Sequence, residues 1–163
     1  MARFYRRHLP HWRIEEADTI YFVTWRLSRG QASLTLVERD VVARALLKFD
    51  GFRYELLAFV VMDDHVHVIL MPALGVQLES VIHTWKSYTG HRLQRESSRR
   101  APVWQHESFD RVVRDESELR EKVSYIAGNP WKRWPAVQDY AWVWVEGQDA
   151  DVASAQRTRE TPP

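Results

Sequence analysis

Two apolar runs flank the dipeptide Asp63-Asp64, and no other stretch constrains the fold as tightly. The first run, Arg53 to Met62, carries Tyr54-Glu-Leu-Leu-Ala-Phe-Val-Val; the second, His65 to Met71, ends at Pro72. Both have the β-branched and aromatic content of strands. Two residues between them leave room only for a tight turn, so the runs are predicted to form an antiparallel hairpin, with His65 and His67 just past its bend.

Other elements fall around this hairpin. Thr19 to Leu27 reads as a strand ended by Ser28-Arg29-Gly30. From Ser33 or Thr35 a helix is predicted, with Leu36, Val37, Val41, Val42, Ala45, Leu46 and Phe49 at helical spacing, closed by the turn Asp50-Gly51. Gln77 to about Arg95 reads as a second helix and Phe109 to Arg114 as a short strand. Asp115 or Ser117 is the predicted cap of a third helix, from Glu118 to about Gly128, stopped by Asn129-Pro130 because the residue before proline is pushed out of helical geometry. No structure is assigned to Trp131 to Val145. The order strand, helix, strand, strand, helix, strand, helix predicts an α+β fold: a ferredoxin-like antiparallel sheet with its helices on one face.

A length of 163 residues fits one domain. We expect it to span residues 1–147, with a disordered tail over 148–163, where the chain turns polar and small. With no cysteine, disulfides, zinc-thiolate sites and thiol nucleophiles are excluded. No apolar run approaches the roughly 20 residues of a membrane span, and the basic start lacks a secretory apolar segment. A cytoplasmic chain is expected. The net charge of +1 conceals two basic clusters, Arg3, Arg6, Arg7 and Lys86, Arg92, Arg95, Arg99, Arg100, as a phosphate backbone would require. Each of these cations also reads as a solvated surface charge. The eight tryptophans can stack on unpaired bases or fill a core.

Side chains at i and i+2 of a strand share a face. His65 and His67 therefore project together, and two neutral imidazoles so placed can bind one divalent cation. Val66 is expected to point the opposite way into the core, with Ile69 on its side. Alternatively the pair is a surface or satisfied core feature, since the motif is short. Tyr125 and Asn129, four apart, share a helix face. A tyrosine hydroxyl can attack a phosphodiester, and the Asn129 amide oxygen could complete a metal site; otherwise Tyr125 packs on the sheet and Asn129 caps the helix.

With these stretches in order, the chain resembles the single-tyrosine HUH-type transposases of the IS200/IS605 superfamily, and among them the REP-associated tyrosine transposases of bacteria. The matching segments are Tyr21 to Leu27, Val60 to Leu70, Trp85 to Tyr88, Val103 to Gln105, Phe109 to Arg111, Tyr125 to Pro130 and Asp139 to Trp142. The chain departs from the pattern twice: Asp63 stands where the family usually carries proline, and Trp131-Lys-Arg-Trp replaces a small, apolar run.

The resemblance implies a metal-dependent enzyme that cleaves single-stranded DNA near hairpin sequences. It implies Tyr125 as nucleophile, His65, His67 and Asn129 as ligands of Mg²⁺ or Mn²⁺, and a 5′-phosphotyrosine intermediate. A monomer is favoured over a homodimer. The competing readings are a DNA-binding protein of the same fold without cleavage, and a metal-dependent nuclease that uses water.

Overall fold

A computed structural model describes residues 18–147. The expected domain limits, the tail from 148 and the cations Arg3, Arg6 and Arg7 therefore lie wholly or partly outside the described residues. Five strands form one sheet: β1 (Ile20–Arg26), β2 (Tyr54–Val61), β3 (His65–Pro72), β4 (Phe109–Val113) and β5 (Val143–Val145), in the order β4-β1-β3-β2-β5. Every pairing is antiparallel. Three helices complete the fold: α1 (Leu36–Lys48), α2 (Leu78–Ser97) and α3 (Glu116–Arg133). The first four strands with α1 and α2 have the ferredoxin-like order; α3 and β5 are additions to it. Among the described residues no helix is long and apolar enough to cross a membrane.

The predicted hairpin is present, closed by a bond from the Met62 N–H to the His65 carbonyl at 2.8 Å. Thr35 caps α1: its hydroxyl accepts from the Glu38 N–H while the Glu38 carboxylate accepts from the Thr35 N–H. After α1 the chain reverses through Gly51, whose φ of 86° is costly for a residue with a Cβ.

The helices do not share one face of the sheet, as the sequence reading expected. Trp85 of α2 stacks on Trp25 of β1, with ring centroids 5.7 Å apart, and the Tyr54 hydroxyl of β2 donates to the Leu46 carbonyl of α1 at 2.6 Å. Those side chains lie on the face opposite the histidines. On the histidine face sits α3, where the Tyr125 ring meets His67. The physical reason is already present in β2 and β3. Their apolar runs are continuous, and both strands are buried along almost their whole length. A strand buried on both faces needs a cover on each. The same parity corrects Ile69: it lies opposite Phe22, on the histidine side of β3, not with Val66.

Proline 130 does not end α3. The helix runs through it to Arg133, and the Trp134 N–H bonds the Pro130 carbonyl at 2.8 Å. An interior proline costs about 3 kcal/mol through its missing donor. Burial of Ile126, Ala127, Asn129 and Pro130 itself against the sheet opposes that cost. From there the segment to residue 142 wraps the β2 edge. Tyr140 donates to the Val61 carbonyl at 2.7 Å, Trp142 donates to Asp40 at 2.8 Å, and β5 then pairs with β2.

Candidate functional site

On β3, His65 and His67 point to one face, their ring centroids 4.6 Å apart. Both are buried, although imidazoles contribute little to packing in an otherwise apolar strand. Each has its Nδ1 engaged: His65 by the Asp64 carboxylate at 2.6 Å, and His67 by the Thr24 hydroxyl of β1, its cross-strand neighbour, also at 2.6 Å. Partners on Nδ1 fix the ring orientation and leave Nε2 as the free donor atom. The His67 Nε2 is buried and has no hydrogen-bond partner.

Burial, with the charges of His65 and Arg26, pushes the His67 pKa down to about 3. The ring is therefore neutral at physiological pH, with a lone pair on one of its two nitrogens. Burial works to raise Asp64, but the hydrogen bond to His65 and the charges of His65, Arg133 and Arg26 outweigh it and hold the carboxyl below its ordinary value.

Tyr125 comes from α3. Its ring meets His67 edge-on at 5.3 Å and Phe22 at 6.1 Å, and 41% of the residue is exposed. Asn129, one turn later, is buried where α3 packs against β2 and β3. The four residues singled out from the sequence thus belong to one strand and the helix that crosses it. A part-exposed tyrosine beside a buried imidazole is open to a substrate without being free in space.

Metal binding can be tested against these side chains. Among the described residues no group of three or more histidine, cysteine, aspartate or glutamate side chains could hold an ion, so the pair requires an oxygen donor of another kind. An amide oxygen from Asn129 is such a donor, and an orphaned buried imidazole nitrogen is what a ligand awaiting its ion presents. Two imidazoles and an amide oxygen are donor types that a divalent cation accepts.

The cations chosen from the sequence are less uniform. Lys86 donates to the carbonyls of Gln105 and His106 at 2.7 and 2.9 Å and to the Ser108 hydroxyl at 3.1 Å, and burial lowers its pKa. It holds the 105–108 loop onto α2. Arg99 is a buried clamp: all its N–H groups are used by Glu38, Gln31, Ala32 and Ser33. Arg92 is paired with Glu96. Arg95 and Arg100 are exposed. Lys86, Arg92 and Arg95 belong to α2, on the sheet face away from Tyr125. Gln105 donates to the Leu27 carbonyl at 3.1 Å, while His83, His91 and His106 are exposed.

Other cations, not singled out by sequence clustering, surround the tyrosine. Lys132 Nζ lies 5.1 Å from the Tyr125 ring centroid and Lys122 Nζ 5.4 Å from that of Phe22. Arg26 pairs across the sheet with His65. Helical spacing from Tyr125 (three residues back for Lys122, seven forward for Lys132) was the signal that could have found two of them.

Comparison with known proteins bears on the family and the fold. The sequence profile of the family described as "Transposase IS200 like" matches residues 26–129. A structure of a REP-associated tyrosine transposase bound to a REP hairpin is similar at TM-score 0.61 and 23% identity, over 76% of this chain and 73% of that one. A protein assigned as a transposase in Deinococcus radiodurans R1 is similar at TM-score 0.51 and 19% identity, over 72% of this chain and 95% of that one. No curated protein matches the chain significantly. At these identities the two structures speak for the fold, whereas the profile spans well over half of the sequence, including the histidine pair, the tyrosine and the asparagine. The chain belongs to the IS200-like transposase family, a family of DNA-cleaving and DNA-joining enzymes.

Proposed function

We propose that the protein cleaves and rejoins single-stranded DNA beside a hairpin, with Tyr125 as nucleophile and a divalent ion, Mg²⁺ or Mn²⁺, held by His65, His67 and Asn129. One observation carries this reading: the Tyr125 ring rests on His67, whose Nε2 is buried without a partner. Held by these residues, such an ion would supply positive charge to offset the negative charge that develops on the scissile phosphate. Tyr125 Oη gives up its proton to solvent and forms a bond to phosphorus as the bond from phosphorus to the 3′ oxygen breaks, and that oxygen takes up a proton from solvent. The products are a 5′-phosphotyrosine ester and a free 3′-OH, and attack by another 3′-OH reverses the step without an external energy source. Thr24 and Asp64 hold the two imidazoles in orientation. Lys122, Lys132 and Arg26 supply cations for phosphates on either side of the cleavage point.

A hairpin substrate follows the solved relative, which is bound to a REP hairpin. Arg95 and Arg100 remain candidates for its outer phosphates, together with Arg3, Arg6 and Arg7. A monomer suffices for this arrangement, because Tyr125 and the histidines come from one chain.

The test is denaturing electrophoresis after incubation with labelled hairpin DNA and Mn²⁺. A covalent adduct that disappears in Tyr125→Phe is expected. Cleavage that persists in Tyr125→Phe without an adduct would point to water as nucleophile. Binding without cleavage would point to a DNA-binding protein that has lost the reaction.

A further inference from the structure

The hairpin bend and the last turn of α3 meet in space. Arg133, in the Trp131-Lys-Arg-Trp segment, lies with NH2 3.0 Å from Asp63 Oδ2 and 3.7 Å from Asp64 Oδ2. Asp64 Oδ1 in turn lies 2.6 Å from His65 Nδ1. A continuous line of polar contacts therefore runs from the last turn of α3, across the hairpin bend, to the first histidine.

This pair differs from an ordinary surface ion pair. The Asp63 side chain is only 13% exposed, and its other oxygen, Oδ1, is buried without a hydrogen-bond partner. Arg133 is the only cation paired with it among the described residues. It reaches Asp63 only because α3 continues through Pro130; a helix stopped at Gly128 would not carry it there. Arg133 also lies eight residues beyond Tyr125 on the same helix, about 12 Å along its axis at 1.5 Å per residue. A small tilt at that end moves the tyrosine relative to His67.

We propose that Asp63 and Arg133 form a latch, extended through Asp64 to His65, that sets how the tyrosine helix docks on the histidine hairpin. Both are positioning residues for Tyr125; neither touches the reacting atoms. The proposal rests on Tyr125 being the nucleophile. The latch joins the two halves of the site directly, so a change in docking at one end is felt at the other. Misplacing a reactive group by about 1 Å can cost up to a hundredfold in rate, and loosening one anchor of a packed helix should cost less.

The test is a double-mutant cycle on the full chain, with Asp63→Asn, Arg133→Gln and the combination. Rates of Tyr125 adduct formation, single-strand DNA affinity and amide hydrogen exchange over residues 126–134 are measured for each. Each single variant is expected to slow adduct formation about tenfold, leave DNA affinity within about twofold, and speed exchange. The combination is expected to be no slower than either single variant, because the two residues act as one unit. Arg133→Gln weakening DNA binding while Asp63→Asn behaves as wild type would overturn the latch and make Arg133 a phosphate contact. Additive losses, or faster exchange with unchanged rates, would also overturn the positioning role. Should the wild-type protein form no adduct, the nucleophile assignment fails instead, and exchange alone decides the latch: unchanged exchange in both single variants refutes it.

Discussion

Replacing Arg99 by methionine tests whether a basic cluster seen in sequence is a DNA surface or part of the frame. Arg99 sits after α2 and reaches across to the start of α1, where its guanidinium pairs with Glu38 through two N–H groups. Its remaining donors meet the Gln31 side chain at 3.2 Å and the carbonyls of Ala32 and Ser33 at 2.7 and 3.0 Å. The side chains of Glu38 and Arg99 are almost wholly buried. Removing one partner of a buried pair leaves an uncompensated charge and costs about 3–5 kcal/mol. Glu38 would keep its bonds to Thr35, so we expect the lower end, about 3 kcal/mol. That corresponds to a fall of roughly 10 °C in Tm for a chain of this size. Urea unfolding followed by circular dichroism measures the loss, and Arg99→Met/Glu38→Gln should lose less than the two single variants summed.

A pH dependence accompanies the same pair. Burial works to raise Glu38, but the hydrogen bonds from Arg99 and Thr35 and the Arg99 charge prevail and hold its carboxyl below the ordinary glutamate range. A carboxyl depressed in the folded state contributes stability above its unfolded pKa and loses it as pH falls through the folded value. Wild-type stability should therefore decline below about pH 4.5, and this component should vanish in Arg99→Met. A loss under about 1 kcal/mol, combined with weaker DNA binding by the folded protein, would refute the reasoning and return Arg99 to the DNA surface.

Thr24→Val keeps the shape of the residue but removes the hydroxyl on His67 Nδ1, and isothermal titration with Mn²⁺ should show an affinity lower by about tenfold, the usual size of a lost outer-shell bond. Glu146 lies near Glu55 and Asp50 at the β2 edge, and burial, with those two charges, raises its pKa to about 7. Its folded-state pKa exceeds its unfolded one, so its contribution is complete below about pH 4.5 and is lost as pH rises through about 7. Glu146→Gln should therefore stabilise the protein at pH 8, by about 1 kcal/mol after allowance for solvent screening; equal melting temperatures at pH 8 would remove this account.

Much of the site was legible because its geometry is local. The i, i+2 spacing of His65 and His67 and the i, i+4 spacing of Tyr125 and Asn129 follow from strand and helix periods alone. The hairpin and the Thr35 cap are likewise short-range. The roles of the cations were not legible. Lys86 and Arg99 look in sequence like Arg95 and Arg100, yet the first two are bound to carbonyls and a carboxylate from distant segments. Clustering along a chain measures charge density, whereas phosphate binding needs a free donor on the right surface. Lys122 and Lys132 belong to no dense cluster, and helix geometry alone brings them beside Phe22 and Tyr125.

By itself the sequence determined four of the five strands, the helix starts and the pairing of the candidate site side chains on each element, because each depends on neighbours within about one turn or one pleat. Tertiary structure decided which face of the sheet α3 covers, that the helix continues through Pro130, and that Arg133 meets Asp63. Those outcomes depend on burying both sides of β2 and β3 at once, and the free energy of that burial is shared among residues far apart in the chain. The proline rule is worth about 3 kcal/mol at one position; the packed face of a whole helix opposed it and prevailed.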